Sequence, residues 1–164
     1  MQGGGPIWIT AGTITGSGVL TADGGSGAQG AQSGGGGRIA VYCDDTSGFS
    51  GRMACTANGG VEAEYPGQDG TVGFFDSVGS HLTVYHHYIV EPERTVSLDS
   101  LTLENAATLL LGGGSTLTLS GDLALNDSST LQVQGLHTDW TRKVRCRRRT
   151  GCSADPHAYT PHCR

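Results

Sequence analysis

The stretch from Leu101 to Val133 reads LTLENAATLLLGGGSTLTLSGDLALNDSSTLQV, and it falls on itself when shifted by 22 residues. Leu101 meets Leu123, Leu103 meets Leu125, Thr108 meets Thr130, Leu109 meets Leu131 and Leu111 meets Val133. Between them, Glu104-Asn105-Ala106-Ala107 lies over Asn126-Asp127-Ser128-Ser129, so a turn matches a turn. Each copy runs L-x-L, a polar gap, then L-x-L or L-x-V. Such period-2 alternation marks a short strand with one buried face. Leu117-Thr118-Leu119 adds a third short strand to the cycle.

A strand that short cannot bury its apolar face alone. Repeats solve this by stacking each unit on the next. The spacing predicts one coil of a β-solenoid per 22 residues. Leu101 and Leu123 would then stack inside, about 4.8 Å apart. An antiparallel meander is the competing arrangement. It leaves unexplained why apolar and Thr positions recur in one register.

Composition agrees with strands and turns. Gly supplies 28 of 164 residues and charged residues only 15%. Each Gly costs a helix about 1 kcal/mol relative to Ala, but opens turns. No apolar run reaches the roughly 18 residues that a spanning helix needs. Met1-Gln2-Gly3-Gly4-Gly5-Pro6 has neither the charged start nor the apolar stretch of a signal peptide. A Gly-rich β-repeat with such a start is expected to be an excerpt, truncated at both ends.

Residues 7–22 alternate apolar residues with Thr, and Asp23-Gly24-Gly25 breaks the pattern. Residues 26–37, SGAQGAQSGGGG, have nothing to bury and are expected to be a loop excursion. Residues 38–57 restart the alternation, and Asn58-Gly59-Gly60 breaks it again. Ile7-Trp8-Ile9 aligns with Ile39-Ala40-Val41, and Thr21-Ala22-Asp23-Gly24-Gly25 with Thr56-Ala57-Asn58-Gly59-Gly60, at offsets of 32 and 35 residues. Gly70 to Asp76 and His81 to Val90 are two more expected strands.

These residues carry a resemblance. GGGPIWITAGTITGSGVLTADGG, then GGGGRIAVYCDDTSGFSGRMACTANGG and GQDGTVGFFD, resemble the glycine-rich repeats of large secreted or surface-exposed β-helix proteins. LTLENAATLLLGGGSTLTLSGDLALN is similar to the right-handed parallel β-helix passengers of adhesins and autotransporters. The resemblance covers residues 3–135 and implies an extracellular or cell-surface setting with a scaffold or adhesive role. It supplies no catalytic residue.

The expected organisation is therefore an all-β, right-handed parallel β-helix (β-solenoid) over residues 1–136. Gly-rich coils occupy 1–77, with loops thrown out from one side, and short 22-residue coils occupy 96–135. The tail, 137–164, breaks with this. Residues 1–141 hold 3 basic and 14 acidic residues, whereas 142–164 hold 7 basic and 1 acidic. Three of the five cysteines also lie there. The tail is read either as a solvated basic segment or as an out-of-frame translation.

Each chemical motif has a plainer reading beside it. Gly25-Ser26-Gly27-Ala28-Gln29-Gly30 fits G-x-G-x-x-G, but the dinucleotide site needs a helix to open there; a flexible loop is the better reading. Asp44 and Asp45 are the candidate catalytic pair, because paired carboxylates serve as acid and base in glycoside hydrolysis. Neighbours on a strand face opposite ways, however, and a turn pair capping the backbone competes. The Gly-His-Gly and Arg-Ile-Lys companions of β-helix polygalacturonases are absent. Asp69 and Asp76, with Glu62 and Glu64, form the loosest acidic cluster and are the candidate calcium ligands, although calcium takes six to eight oxygens. His86 and His87 would sit mid-strand on opposite faces. The C-x5-C-x4-H-x4-H-C run of Cys146, Cys152, His157, His162 and Cys163 lacks the spacing of a structural zinc site. Cys43 and Cys55 are either a disulfide or two small inward residues. Asn126-Asp127-Ser128 is a sequon in an expected turn.

Binding classes narrow likewise. The net −11 of residues 1–141 disfavours nucleic acid, whose phosphates need Lys and Arg. Trp8, Tyr42, Phe74, Phe75, Tyr85 and Tyr88 are the aromatic stock for glycan contact. Thr102 and Thr118 begin a Thr ladder of the ice-binding kind, which Ala124 interrupts. The function expected is a non-catalytic structural or adhesive segment that contacts cell-surface glycans and neighbouring coils of a longer chain. The alternative is a fragment of a β-helix polysaccharide lyase or glycoside hydrolase.

Overall fold

The computed structural model describes residues 2–28, 31–61 and 64–134. The Cys/His-rich tail and its zinc-type residues lie outside them, as does Glu62. The described chain is all-β, in three open sheets with one short 3-10 turn at Ser50–Ala54. Long strands come first: β1 (Pro6–Thr13), β2 (Arg38–Asp45) and β3 (Thr71–Phe75). Short ones follow: β4 (His81–Val84), β5 (His87–Val90), β6 (Thr95–Leu98), β7 (Ser100–Leu103), β8 (Thr108–Leu111), β9 (Thr116–Leu119), β10 (Leu123–Leu125) and β11 (Thr130–Val133).

The 22-residue shift is realised as pairing. β10 lies parallel on β7 with Leu123 opposite Leu101 and Leu125 opposite Leu103. β11 lies parallel on β8 with Thr130, Leu131 and Val133 opposite Thr108, Leu109 and Leu111. These are the five positions that the repeat put together. The turns also superpose: Asn105 and Ala106 have φ of 59° and 55°, and Asp127 and Ser128 have 53° and 61°. Ala107 N–H closes one turn on Glu104 O, and Ser129 N–H closes the other on Asn126 O. β9 pairs with β6, Leu117 opposite Val96 and Leu119 opposite Leu98. An antiparallel meander is ruled out for this region, because every one of these pairs is parallel.

The short repeat also reaches further back than residue 96. β4 pairs with β7, Leu82 opposite Leu101, and β5 pairs with β8, Tyr88 opposite Leu109. The expected single strand over His81–Val90 is two strands, broken at Tyr85-His86. The break turns the chain from one sheet to the next, and His86 lies in it rather than on a strand.

The longer repeat is equally direct. Ile7 lies opposite Ile39 and Ile9 opposite Val41, and an isolated bridge joins Thr21 to Thr56. β3 continues the sheet, Val72 opposite Ile39 and Phe74 opposite Val41. β4 then adds to β3 antiparallel, Phe75 opposite Leu82. This is the one antiparallel pair among the described strands, and it gives a six-stranded sheet ordered β1-β2-β3-β4-β7-β10.

That single reversal changes which face is inside. Ile39, Val41, Val72 and Phe74 belong to one apolar core, and Leu82, Val84, Leu101 and Leu103 to another. Directly opposed residues share a face, so Phe75 and Leu82 lie on one side while Phe74 faces the other. Phe75 indeed packs against the second core. The sheet therefore runs between two cores, one on each face. Arg52 and Asn105 tie the halves together. Arg52 Nε donates to Tyr85 Oη at 3.1 Å, and Asn105 Nδ2 donates to Met53 O at 3.3 Å and Tyr85 O at 3.2 Å.

The glycine-rich segments correct the expectation of loops thrown out from one side. They lie against one another, backbone on backbone. Gly25 N–H donates to Gln2 O, Gly34 N–H to Gly25 O, Gly60 N–H to Gly34 O and Gly67 N–H to Gly60 O, all at 2.8–2.9 Å. A Cβ on Gly34 would sit 2.0 Å from Gln2 O, and one on Gly70 would sit 1.8 Å from Gly37 O. Gly34, Gly60, Gly67 and Gly70 are packed too closely to carry a side chain. The backbone groups of the buried Gly34 and Gly60 are satisfied by neighbouring segments, as buried backbone groups must be.

Gly70→Ala is expected to cost about 3 kcal/mol, as overpacking against a rigid backbone does. Gly12→Ala, with nothing within 4 Å of its Cβ, is expected to stay within about 0.5 kcal/mol of wild type. Urea unfolding of both variants measures the contrast.

Candidate functional site

Three of the four carboxylates singled out for chemistry, Asp45, Asp69 and Asp76, are engaged with backbone N–H groups. Asp44 and Asp45 end β2, both exposed. Asp45 Oδ1 accepts from Ser47 N–H at 2.8 Å, which makes an Asx turn. Hydrogen bonds from Ser47 lower the Asp45 pKa. The two carboxylates alternate across the strand and do not converge as an acid–base pair. Asp69 Oδ1 accepts from Gly59 N–H at 2.9 Å. Asp76 opens the turn between β3 and β4: Oδ1 accepts from Ser80 N–H at 2.6 Å and His81 N–H at 3.0 Å, and Oδ2 from Ser80 Oγ at 3.0 Å. No group of three or more His, Cys, Asp or Glu residues suited to a metal ion occurs among the described residues.

The cysteines face inward, each tied to backbone. Cys43 and Cys55 are free and buried in the first core. Cys43 Sγ donates to Asp45 O at 3.2 Å, and Cys55 Sγ accepts from Leu20 N–H at 3.3 Å. Burial raises the Cys55 pKa, so its thiol is an inert packing group. The G-x-G-x-x-G motif opens no helix. Gly27, the middle glycine, is pressed against Ala31 O, and Gln29 and Gly30 lie outside the described residues. The sequon Asn126 sits exposed in the turn before β11.

What the fold does assemble is an aromatic row. Along β1 and β2, Ile7, Ile9, Ile39 and Val41 pack toward the first core, so Trp8, Thr10, Arg38, Ala40, Tyr42 and Asp44 face outward. Trp8 stacks on Tyr42 with ring centroids 4.7 Å apart, and Tyr42 on Phe75 at 4.8 Å, with interplanar angles of 29° and 11°. Phe75 lies directly opposite Tyr42, so the strand spacing sets that stack, whereas Trp8 lies opposite Ala40 and its ring reaches diagonally to Tyr42. Tyr88 of β5 meets Phe75 edge-on at 6.3 Å. Gly73 makes room for it, since a Cβ there would lie 2.7 Å from the Tyr88 ring. Tyr42 and Phe75 are half-buried, whereas Trp8, at the sheet edge, is 67% exposed.

Polar groups border the row. Arg38 and Asp44 lie on its two sides along β2, both exposed. Burial raises the Tyr88 pKa, against an opposing pull from the Arg38 charge. Thr71, in register with Arg38, is buried, and its Oγ1 has no hydrogen-bond partner; neither has the buried His87 Nδ1.

The aromatic stock was legible in the sequence, but its division was not. Phe74 and Tyr85 pack in the first core, whereas Trp8, Tyr42, Phe75 and Tyr88 lie on the other face of the sheet. The signal was available in strand parity once β3 was placed against β2. Thr102 pairs with Ala124 as the interrupted ladder implied, and Thr118 pairs instead with Ser97.

No helix among the described residues is long and apolar enough to cross a membrane. No protein-family model, no curated protein and no solved structure matches the chain.

Asp76 carries the pH dependence of the chain reversal. Desolvation alone would raise its pKa, but bonds from His81 N–H and Ser80, and the nearby His81 ring, outweigh it and lower the value. A lowered carboxylate contributes stability above its unfolded pKa and loses it as pH falls through the folded one. The stability gap between wild type and Asp76→Ala is therefore expected to be full at pH 7. It should close progressively on acidification below about pH 4, where an unfolded Asp protonates; unfolding curves across that range measure it.

Proposed function

We propose that this chain is a segment of a right-handed parallel β-helix at the cell surface or outside the cell. Its role is structural or adhesive rather than catalytic, with glycan contact. The observation that carries the reading is the stacking of successive repeats in register. Three parallel ladders, β4-β7-β10, β5-β8-β11 and β6-β9, advance together by 19 to 22 residues. This is the pairing that a three-sided coil produces. The reversal at β4 fits as well. Strand direction and inward face change together, so the winding sense is the same before and after it. A right-handed sense follows the strong preference of parallel crossover connections.

A scaffold role suits the chemistry. Of the two carboxylates singled out as an acid–base pair, Asp45 is engaged in the turn at Ser47, and hydrolysis would need two that face one bond. Glycan contact draws support from the half-buried aromatic row with its exposed polar borders. Surface placement rests on the resemblance of the Gly-rich and L-x-L repeats.

Two experiments test this. Removing one whole coil, residues 101–122, joins Ser100 to Leu123, which then replaces Leu101 opposite Leu82. That variant is expected to keep its β-sheet circular dichroism and a cooperative thermal transition, whereas removal of residues 101–111, half a coil, is expected to lose both. Equal loss in the two would contradict a coil repeat. Incubation with pectin and alginate is expected to release no reducing ends and no unsaturated uronate. Release that tracks the purified chain would replace the scaffold reading with the polysaccharide-cleaving one.

A further inference from the structure

Most free strand edges in this fold lie where a longer β-helix would continue. β1 begins the six-stranded sheet, and β9, β10 and β11 end their ladders. A further repeat at either end would pair with them. β5 is different. It ends the sheet β11-β8-β5 on the side of the chain's own earlier residues. On that side β4 continues into β3, β2 and β1, but β5 gains no partner. A repeat preceding β1 would pair with β1, three strands from β4, around a core on the other face of the sheet. It would leave β5 as it is, so this edge belongs to the fold itself.

The pairing with β8 fixes which backbone groups are free. Thr108 N–H donates to His86 O and Gly112 N–H to Val90 O, both at 2.8 Å. Backbone groups alternate in direction along a strand. His86, Tyr88 and Val90 therefore turn theirs to β8, and His87 and Ile89 turn theirs away. No hydrogen bond to the N–H or C=O of His87 or Ile89 from outside β8 occurs among the described residues. Nothing blunts this edge. Exposed edges are guarded by charge, proline or a bulge, whereas His87-Tyr88-Ile89-Val90 contains no Pro, Asp, Glu, Lys or Arg. The neighbouring edge, β6, is guarded. Glu91-Pro92-Glu93-Arg94 leads into it, and by the same alternation its free positions are the exposed Thr95 and Ser97.

The shortness of the edge limits what pairs with it. Only His87 and Ile89 offer bonds, and a flexible peptide loses more in ordering than so few bonds return. The partner is a strand already held in a fold, and a second copy of β5 fits by symmetry. Laid antiparallel about a two-fold axis at Tyr88, His87 lies opposite the partner's Ile89, and Ile89 opposite the partner's His87. Residues opposed in this way exchange both N–H···O bonds, so every free group of the two is paired. Tyr88 meets the partner's Tyr88 at the position between, where Cα atoms approach to about 4.5 Å and aromatic pairs are favoured. The same axis brings the partner's turn with Glu91 and Glu93 to the His87 end of β5. There the sheet continues as β3, β2 and β1 and carries Arg38, which has no ion pair among the described residues.

We propose that the free edge of β5 pairs antiparallel with β5 of a second copy of this chain, joining the two β11-β8-β5 sheets into one. The contact is isologous, with each copy giving the same strand. It goes beyond the scaffold reading and rests on the strand order alone.

Sedimentation velocity and amide hydrogen exchange of the full chain test this together. A concentration-dependent dimer is expected. The amides of His87 and Ile89 are expected to exchange slowly in the dimer and fast on dilution, while those of Tyr88 and Val90 stay protected in both. Ile89→Pro removes an N–H that β8 does not use, at an edge position that accepts proline. It is expected to weaken the dimer by about tenfold or more and to keep the circular dichroism of wild type. Ile89→Lys leaves the backbone intact, serves where proline disturbs the fold, and is expected to weaken the dimer as well. Ser97→Lys, on the edge of β6, is expected to dimerise as wild type does. The proposal is overturned if the chain stays monomeric, if neither Ile89 variant weakens the dimer, or if the His87 and Ile89 amides exchange fast in the dimer. Slow exchange of those amides in the monomer, lost on removing residues 135–164, overturns it too and assigns the edge to the chain's own C-terminal segment.

Discussion

Every part of this fold depends on the backbone of one repeat hydrogen-bonding in register to the backbone of the next. Parallel pairing at a fixed offset puts like residues over like residues. Leu101 lies between Leu82 and Leu123, and Leu109 between Tyr88 and Leu131. A one-residue slip would turn each of these to the other face. The register is therefore held by every inward position at once. Turns follow from it: Asn105-Ala106 and Asp127-Ser128 repeat the same left-handed pair one 22-residue repeat apart. Asn and Asp tolerate that conformation, while Ala and Ser are carried into it by the pairing on either side.

The two halves meet this requirement with different materials. The C-terminal half stacks short strands around inward Leu and Val, and apolar burial supplies the driving force. The N-terminal half adds to its Ile and Val core a layer that has almost no side chains. There the contacts are carbonyl against α-carbon, and the hydrogen bonds run through successive segments from Gln2 to Gly67. Each such bond contributes only about 1 kcal/mol net. An unpaired buried group costs more than a formed bond gains, so the layer is held as a set. Glycine is needed at Gly24, Gly34, Gly36, Gly60, Gly67 and Gly70, where a Cβ would lie within about 2.2 Å of a carbonyl oxygen.

Much of this was legible in the sequence, for physical reasons. L-x-L spacing with a fixed shift specified both strand and partner, and the match of Ile7-Trp8-Ile9 to Ile39-Ala40-Val41 specified the N-terminal pairing. Three features were not legible. β4 and β5 pair with the Leu-rich repeats, but only Leu82 and Thr83 repeat letters of their partners Leu101 and Thr102, while β5 repeats none of those in β8. The reversal at β4 depends on one turn, Asp76–Ser80, where Asp76 caps Ser80 and His81 and Gly79 has φ of 74°. Glycine runs look alike as sequence whether they are solvated or packed, because the difference lies in which backbone lies beside them. The carboxylates share this ambiguity: Asp69 precedes Gly70, Asp76 precedes Ser77 and Asp45 lies two residues before Ser47, and these three are hydrogen-bonded to backbone N–H groups.

Amide hydrogen exchange at the glycines tests most directly whether backbone pairing between repeats organises the chain. The amides of Gly24, Gly25, Gly34, Gly36, Gly60 and Gly67 each donate to a carbonyl of another segment or of a distant part of the same one. They are expected to exchange as slowly as those of the paired strand β2. Exchange of these six at the rate of an unstructured peptide, with β2 protected, would contradict the account and return the glycine runs to loops.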